Sequence, residues 1–175
     1  MKKRVLLGIV AAGLAVGLGG ASQIWPKQTR AERMADLFHG ICLAPALTGD
    51  SPDALFSSLT RTHDEGTAQR WIDTQSGSFL RVAATSCTVS TYAPHALTFE
   101  EAEELLELTG VIVARDFPQL VYDPKAVMGD EALAKGWFIG SFSSPGRWGI
   151  YHFAYPDWGD SAGSSLSFKA PTTPD

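Results

Sequence analysis

Asparagine is missing altogether from this chain of 175 residues, and cysteine occurs only twice. Without asparagine there is no acceptor for N-glycosylation. Two cysteines are too few for a disulfide-scaffold miniprotein or for an all-cysteine zinc site. Positive charge is also scarce, with 14 Lys and Arg against 19 Asp and Glu for a net charge of −5. That sign argues against a nucleic acid partner. The G-x-S-x-G elbow, the phosphate-binding glycine loop, the H-E-x-x-H zinc motif and the Ca²⁺ loop are all missing, so none of the local hydrolase, nucleotide or metal signatures applies. Triads assembled from scattered residues are not excluded by this. No cofactor and no metal site is expected.

The longest strongly apolar run is also too short to span a bilayer. Val5 to Gly20 contains no charged or strongly polar side chain, but as a helix it covers about 24 Å against a hydrocarbon core of roughly 30 Å. Lys2, Lys3 and Arg4 precede it, and Gly19 and Ala21 supply small residues at positions −3 and −1 of a cleavage after Ala21. This is the three-part layout of a secretory signal peptide, expected over residues 1–21. Left uncleaved and extended to Trp25, the same segment becomes a single N-terminal anchor in the inner membrane. Only in that case is a membrane a partner. Cleavage removes three cations and no anion, taking the net charge from −5 to −8. With its Ala, Gly and Arg content, the chain reads as a bacterial protein destined for the periplasm or the medium.

The remaining composition, 45% hydrophobic, 19% charged and 10% aromatic, suits one globular domain, expected over residues 31–169. Residues 22–30 read as a polar spacer and 170–175 as a frayed Pro/Thr-rich tail. Cys42 and Cys87 stand 45 positions apart. In an oxidising compartment they are read as one disulfide, worth roughly 4 kcal/mol on the chain-entropy account. His39 lies three residues before Cys42, but an H-x-x-C pair needs two further ligands to hold zinc, and none has ligand spacing.

Periodicity gives the elements. Met34, Leu37, Phe38, Ile41 and Cys42 form the apolar stripe of a helix over 31–43, which Ala44-Pro45 is expected to end. Asp50-Ser51-Pro52-Asp53 starts a second helix that fails by His63. The Trp71-Ile72 pair has no clear assignment. Residues 79–92 read as a strand or hairpin, with Cys87, Val89 and Thr91 sharing a face. Thr98 and Glu101 form a capping box for a third helix, with Gly110 as its natural stop. Residues 118–135 read as a loop. Residues 137–142, 147–155 and 165–169 are β-like, the first two joined by a Pro-Gly turn. No internal repeat is visible. The expected fold is α+β, with two or three helices packed on a small antiparallel sheet.

Few residues point to chemistry. Glu100, Glu101, Glu103, Glu104 and Glu107 read as a solvated helix face, with acids near the N-terminus favoured by the dipole. His63 and His95 read as loop residues. His152 shares a strand face with Trp148 and Ile150; as a catalytic candidate it pairs with Asp157 in acid/base roles. Nine of the chain's eighteen aromatics fall between Trp137 and Phe168, more than one sheet face can bury. Trp148, Tyr155, Asp157 and Trp158 are therefore the expected contact surface, since aromatic platforms beside hydrogen-bonding groups suit glycans, peptides and protein partners. The leading expectation is an exported, disulfide-stabilised binding domain engaging an envelope protein, peptide or glycan. The alternatives are an envelope hydrolase using His152 and Asp157, or an inhibitor of a secreted enzyme presenting residues 156–164.

Overall fold

The computed structural model describes residues 27–126, 133–144 and 146–172. The expected signal segment (1–21), most of the polar spacer and the last three residues of the tail lie outside the described residues.

The first helix, α1 (Arg30–Leu37), begins with a reciprocal cap. Thr29 Oγ1 accepts from the Glu32 amide at 3.0 Å and the Glu32 carboxylate accepts from the Thr29 amide at 2.8 Å. The helix does not stop at Ala44-Pro45. It passes through a π-helical turn (Phe38–Leu43) into α2 (Ala44–Thr48) and ends at Gly49, whose φ of 75° is left-handed. Pro45 stands in the first turn of α2, where a missing N–H costs nothing. The second expected helix is a single turn, α3 (Asp53–Phe56). The third, α4 (Phe99–Asp116), carries the predicted Thr98–Glu101 box and runs through Gly110. Its buried stripe of Leu105, Thr109, Ile112 and Val113 spans the glycine, and burying those side chains outweighs the ~1 kcal/mol that glycine costs in a helix.

The sheet is larger than expected. Eight antiparallel strands are formed: β1 (Thr60–Arg61), β2 (Gln69–Asp73), β3 (Ser78–Ala83), β4 (Ser86–Tyr92), β5 (Val121–Tyr122), β6 (Leu133–Ile139), β7 (Trp148–Tyr155) and β8 (Gly163–Lys169). Trp71 and Ile72 belong to β2. The 118–135 stretch, expected as a loop, contributes β5 and the start of β6. The strand order is β1-β2-β3-β4-β8-β7-β6-β5. Each half is a capped helix followed by a four-strand meander, and the halves meet at β4 and β8. The repeat is one of topology rather than of sequence pattern.

Period-two alternation gives the sheet two different faces. One row across it reads Trp71, Leu80, Val89, Leu166, His152, and these side chains lie under the helices. The π turn packs on β4 and β8, and α4 packs on β6 and β7. Met34, Leu37, Phe38, Ile41, Leu105 and Val113 close this core from the helical side.

Two further ties fix the first helix. The Cys42–Cys87 disulfide, with Cα atoms 5.3 Å apart, joins the π turn to β4. Arg33 donates to both carboxylate oxygens of Asp73, at 3.0 and 3.3 Å. Asp73 also accepts from the Ser76 amide and hydroxyl at 2.9 and 2.6 Å. Burial alone would raise the Asp73 carboxyl, but the Arg33 and Ser76 hydrogen bonds overcome it and hold its pKa below 3.8.

Gly149 marks the tightest backbone approach. Its φ is 152°, and a Cβ there would lie 2.1 Å from the Trp137 carbonyl oxygen and 2.9 Å from Phe138 Cα. Gly149→Ala is expected to cost at least about 2 kcal/mol, read as a lower urea midpoint, whereas Gly66→Ala, with open space around it, loses less. Equal losses would show that the β6–β7 approach is not rigid.

Candidate functional site

The face of the sheet opposite the helices is the site candidate, because no described helix packs over it. Its rows follow from the register. One reads Ile72, Phe79, Ser90, Ser165, Phe153, and the next reads Arg70, Arg81, Thr88, Ser167, Tyr151. The two central strands thus present hydroxyls, with Thr88 Oγ1 and Ser167 Oγ 3.1 Å apart, and the aromatics rise on either side.

On the β7 side the rings form a continuous ladder. Phe138 meets Tyr151 at 6.4 Å between centroids, Tyr151 meets Phe153 at 5.9 Å, Phe153 meets Tyr155 edge-on at 4.3 Å, and Tyr155 stacks on Trp158 at 4.3 Å. Alternation places Tyr151, Phe153 and Tyr155 on one face of the strand, and the turn after it folds Trp158 back onto Tyr155. At the other end the Arg147 guanidinium lies 3.9 Å over Phe138 and 5.1 Å from Phe142, and bonds Asp123 at 2.8 Å. Phe142 is 76% exposed and Trp158 49%. Burial, and then the Tyr155 phenol, raise the Tyr151 phenol above its ordinary pKa.

Of the residues singled out by sequence, the structure brings Tyr155 and Trp158 together. Trp148 is on the opposite face, half-buried against the core. Asp157 is exposed in the turn beyond β7. The 156–164 stretch is a hairpin connection with one 3₁₀ turn, Gly159–Ser161, leading into β8.

His152 is fully buried, and no hydrogen bond or ion pair joins it to Asp157 among the described residues. Neither ring nitrogen meets a partner in hydrogen-bond geometry. The Thr91 and Ser164 hydroxyls, opposite one another on neighbouring strands, are buried without partners too. Burial lowers the His152 pKa from 6.5 to about 4; the nearby Leu133 backbone opposes this and Lys135 adds to it. A neutral ring in this position cannot exchange protons with a ligand outside the core.

One constellation was hidden from sequence reasoning. His39 Nε2 lies 3.0 Å from Asp116 Oδ2 and 3.1 Å from Arg115 Nη2, bridging the π turn and the end of α4. Hydrogen bonds from Arg115 are the main cause that lowers the Asp116 pKa, with His39 adding a smaller contribution. His39 and Arg115 border a groove of about 620 Å³ that Thr29, Glu32 and Asp36 also line. The Thr29 hydroxyl there donates to Glu104 and caps α1, so it is not poised as a nucleophile. With 77 positions between His39 and Asp116, no local spacing signals the pair.

No known protein family, curated protein or solved structure matches the chain.

The His152 environment predicts a pH dependence. Its folded-state pKa is lowered, so between pH 6.5 and 4 the unfolded chain binds a proton that the folded chain refuses. Stability therefore falls as pH drops through that window, by roughly 3 kcal/mol at its lower end. Below 3.8 the Asp73 carboxylate adds a separate loss, because its folded pKa is lowered and its ion pair is then protonated away. Urea unfolding of His152→Leu should lose the upper part of this dependence and keep the lower. An unchanged profile between pH 6.5 and 4 would show that His152 is not the group responsible.

Proposed function

We propose that the protein is an exported binding domain that holds a protein or peptide partner against the open face of its sheet, through the Tyr151–Phe153–Tyr155–Trp158 ladder. The observation that carries this reading is the continuity of the ladder on a face that no described helix covers. Exposed contiguous aromatic surface is costly in water and marks interaction sites; Tyr and Trp are the residues over-represented where interfaces concentrate their binding energy.

The geometry favours a protein over a sugar. The rings of the ladder lean on one another, so much of each face is already covered by its neighbour. Ring edges are what remain for a partner. A glycan platform needs open ring faces, and Trp158, at the end of the stack, is the one ring placed to offer one. The hydroxyl rows of β4 and β8 give a partner hydrogen-bonding groups beside the apolar ladder, which resembles the mixed character of protein interfaces.

Export is supported by the signal-like residues 1–21 and by the Cys42–Cys87 disulfide, a bond that persists in oxidising compartments. No helix among the described residues is long and apolar enough to cross a membrane. We place the protein in the periplasm or the medium.

The test is capture from an envelope extract of the source organism with wild type and Trp158→Ala in parallel. The expected result is one protein species retained by wild type and reduced at least tenfold in the variant, the loss of about 1.4 kcal/mol or more that an anchoring aromatic contact supplies. Equal retention by both proteins, or retention of polysaccharide instead, would overturn the reading.

A further inference from the structure

We propose a second, independent site on the same sheet face: the groove over β2, β3 and β4 binds a small organic anion with a flat apolar body, such as an aromatic carboxylate. The groove has a volume of about 410 Å³, within the range of about 300–1,000 Å³ that small-molecule sites occupy. It shares no ring with the β7 ladder; the Thr88 and Ser90 hydroxyls lie between the two, and it stands whether or not the ladder engages a partner.

The charge arrangement points to an anion. Arg70 and Arg81 are directly opposite one another across the β2–β3 pair, a placement that like charges disfavour. A single carboxylate serves both. Glu65 pairs with Arg70 and reaches Arg81 Nε only at 3.6 Å. Arg61, opposite Trp71 on the edge strand, belongs to the helical face and is matched by Asp64 at 3.0 Å. On the open face two arginines are therefore set against one carboxylate, a local excess of positive charge in a chain whose net charge is −5. Arg70, Arg81 and His63 all line the groove.

The apolar part is equally defined. Ile72 and Phe79 stand side by side across β2 and β3, and Phe79 meets Tyr92 at 6.2 Å with the rings tilted by 47°. Phe79 is 43% exposed and Tyr92 56%, so both rings have surface left to cover. On β4, Thr88 beside Arg81 and Ser90 beside Phe79 give the groove a hydroxylic side. A flat anion laid with its ring against Phe79 and Tyr92 directs its charged group at Arg81. Arginine receives a carboxylate through two parallel hydrogen bonds. The competing Glu65 contacts are solvent-exposed pairs of little worth, so a ligand carboxylate joins or displaces Glu65 at small cost.

The test uses the full chain and two probes of the same shape, 2-naphthoate and the neutral 2-naphthylmethanol, titrated while the backbone amide resonances of Arg81, Thr88 and Ser90 are followed. Naphthoate is expected to shift these resonances and to bind at least fivefold more tightly than the alcohol. Arg81→Gln should remove that difference while keeping the dispersion of a folded spectrum, and Arg81→Lys should restore part of it. Equal affinity for the two probes, or an Arg81→Gln affinity unchanged for naphthoate, would overturn the proposal. So would shifts confined to residues near Trp158, or no shift at Arg81, Thr88 and Ser90 at millimolar naphthoate.

Discussion

The pairing of β4 with β8 is the constraint on which the rest of the structure depends. Seven residue pairs, from Ser86 with Lys169 to Tyr92 with Gly163, join two helix-and-meander halves into one sheet. The outer edges are closed by the two-residue strands β1 and β5, too short to template pairing with another chain. The central ladder also sets which side chains share a face. Cys87 and Val89 go under the helices with Phe168 and Leu166, while Thr88 and Ser90 go to the open side with Ser167 and Ser165. A one-residue slip would exchange the two sets, placing hydroxyls under the helices and the disulfide partner in solvent. The Cys42–Cys87 bridge is possible only in the register observed.

How much of this was legible in the sequence depended on the range of the interaction. The Thr98–Glu101 box, the stripe from Met34 to Cys42 and the alternation around Cys87 are local patterns, and the elements they signal are present. Local stop signals were less reliable. Gly110 and Pro45 each permit a helix to end, but burial of Ile112 and Val113 on one side, and a π turn upstream of Pro45 on the other, carry the chain through. The strands β1, β5 and the start of β6 draw their pairing from neighbours that no window along the chain contains. The Thr29–Glu32 box matches the Thr98 box in form, and it was the register of eight strands that revealed the two halves as equivalents.

The candidate site shows the same division. A surplus of aromatics between Trp137 and Phe168 is countable, and it supplies the ring ladder of the open face, with Phe142 and Trp158 exposed and the rings between half-buried. Which rings face the open side is a matter of parity along β7. Tyr151, Phe153 and Tyr155 fall on the open side, and Trp148 and His152 fall on the helical side. Asp157 lies in the turn and meets neither ring nitrogen of His152. The buried histidine works against stability once the pH falls below its ordinary pKa, and the Thr91 and Ser164 hydroxyls beside it are likewise unpaired. These polar groups are held in place by the surrounding packing of Val89, Ile150 and Leu166, not by one another. The face that meets solvent therefore carries the functional reading, while the polar groups of the core carry a cost.

On this reading the open sheet face, and not the helical face, meets the partner. Site-specific photo-crosslinking in the source organism tests this most directly, with p-benzoylphenylalanine placed at Phe142, at the exposed end of the ladder, and in parallel at Val111, which is 63% exposed on α4. A discrete adduct to one protein from position 142, with none from position 111, is the predicted result. Adducts from position 111 alone, or from neither position, would contradict it.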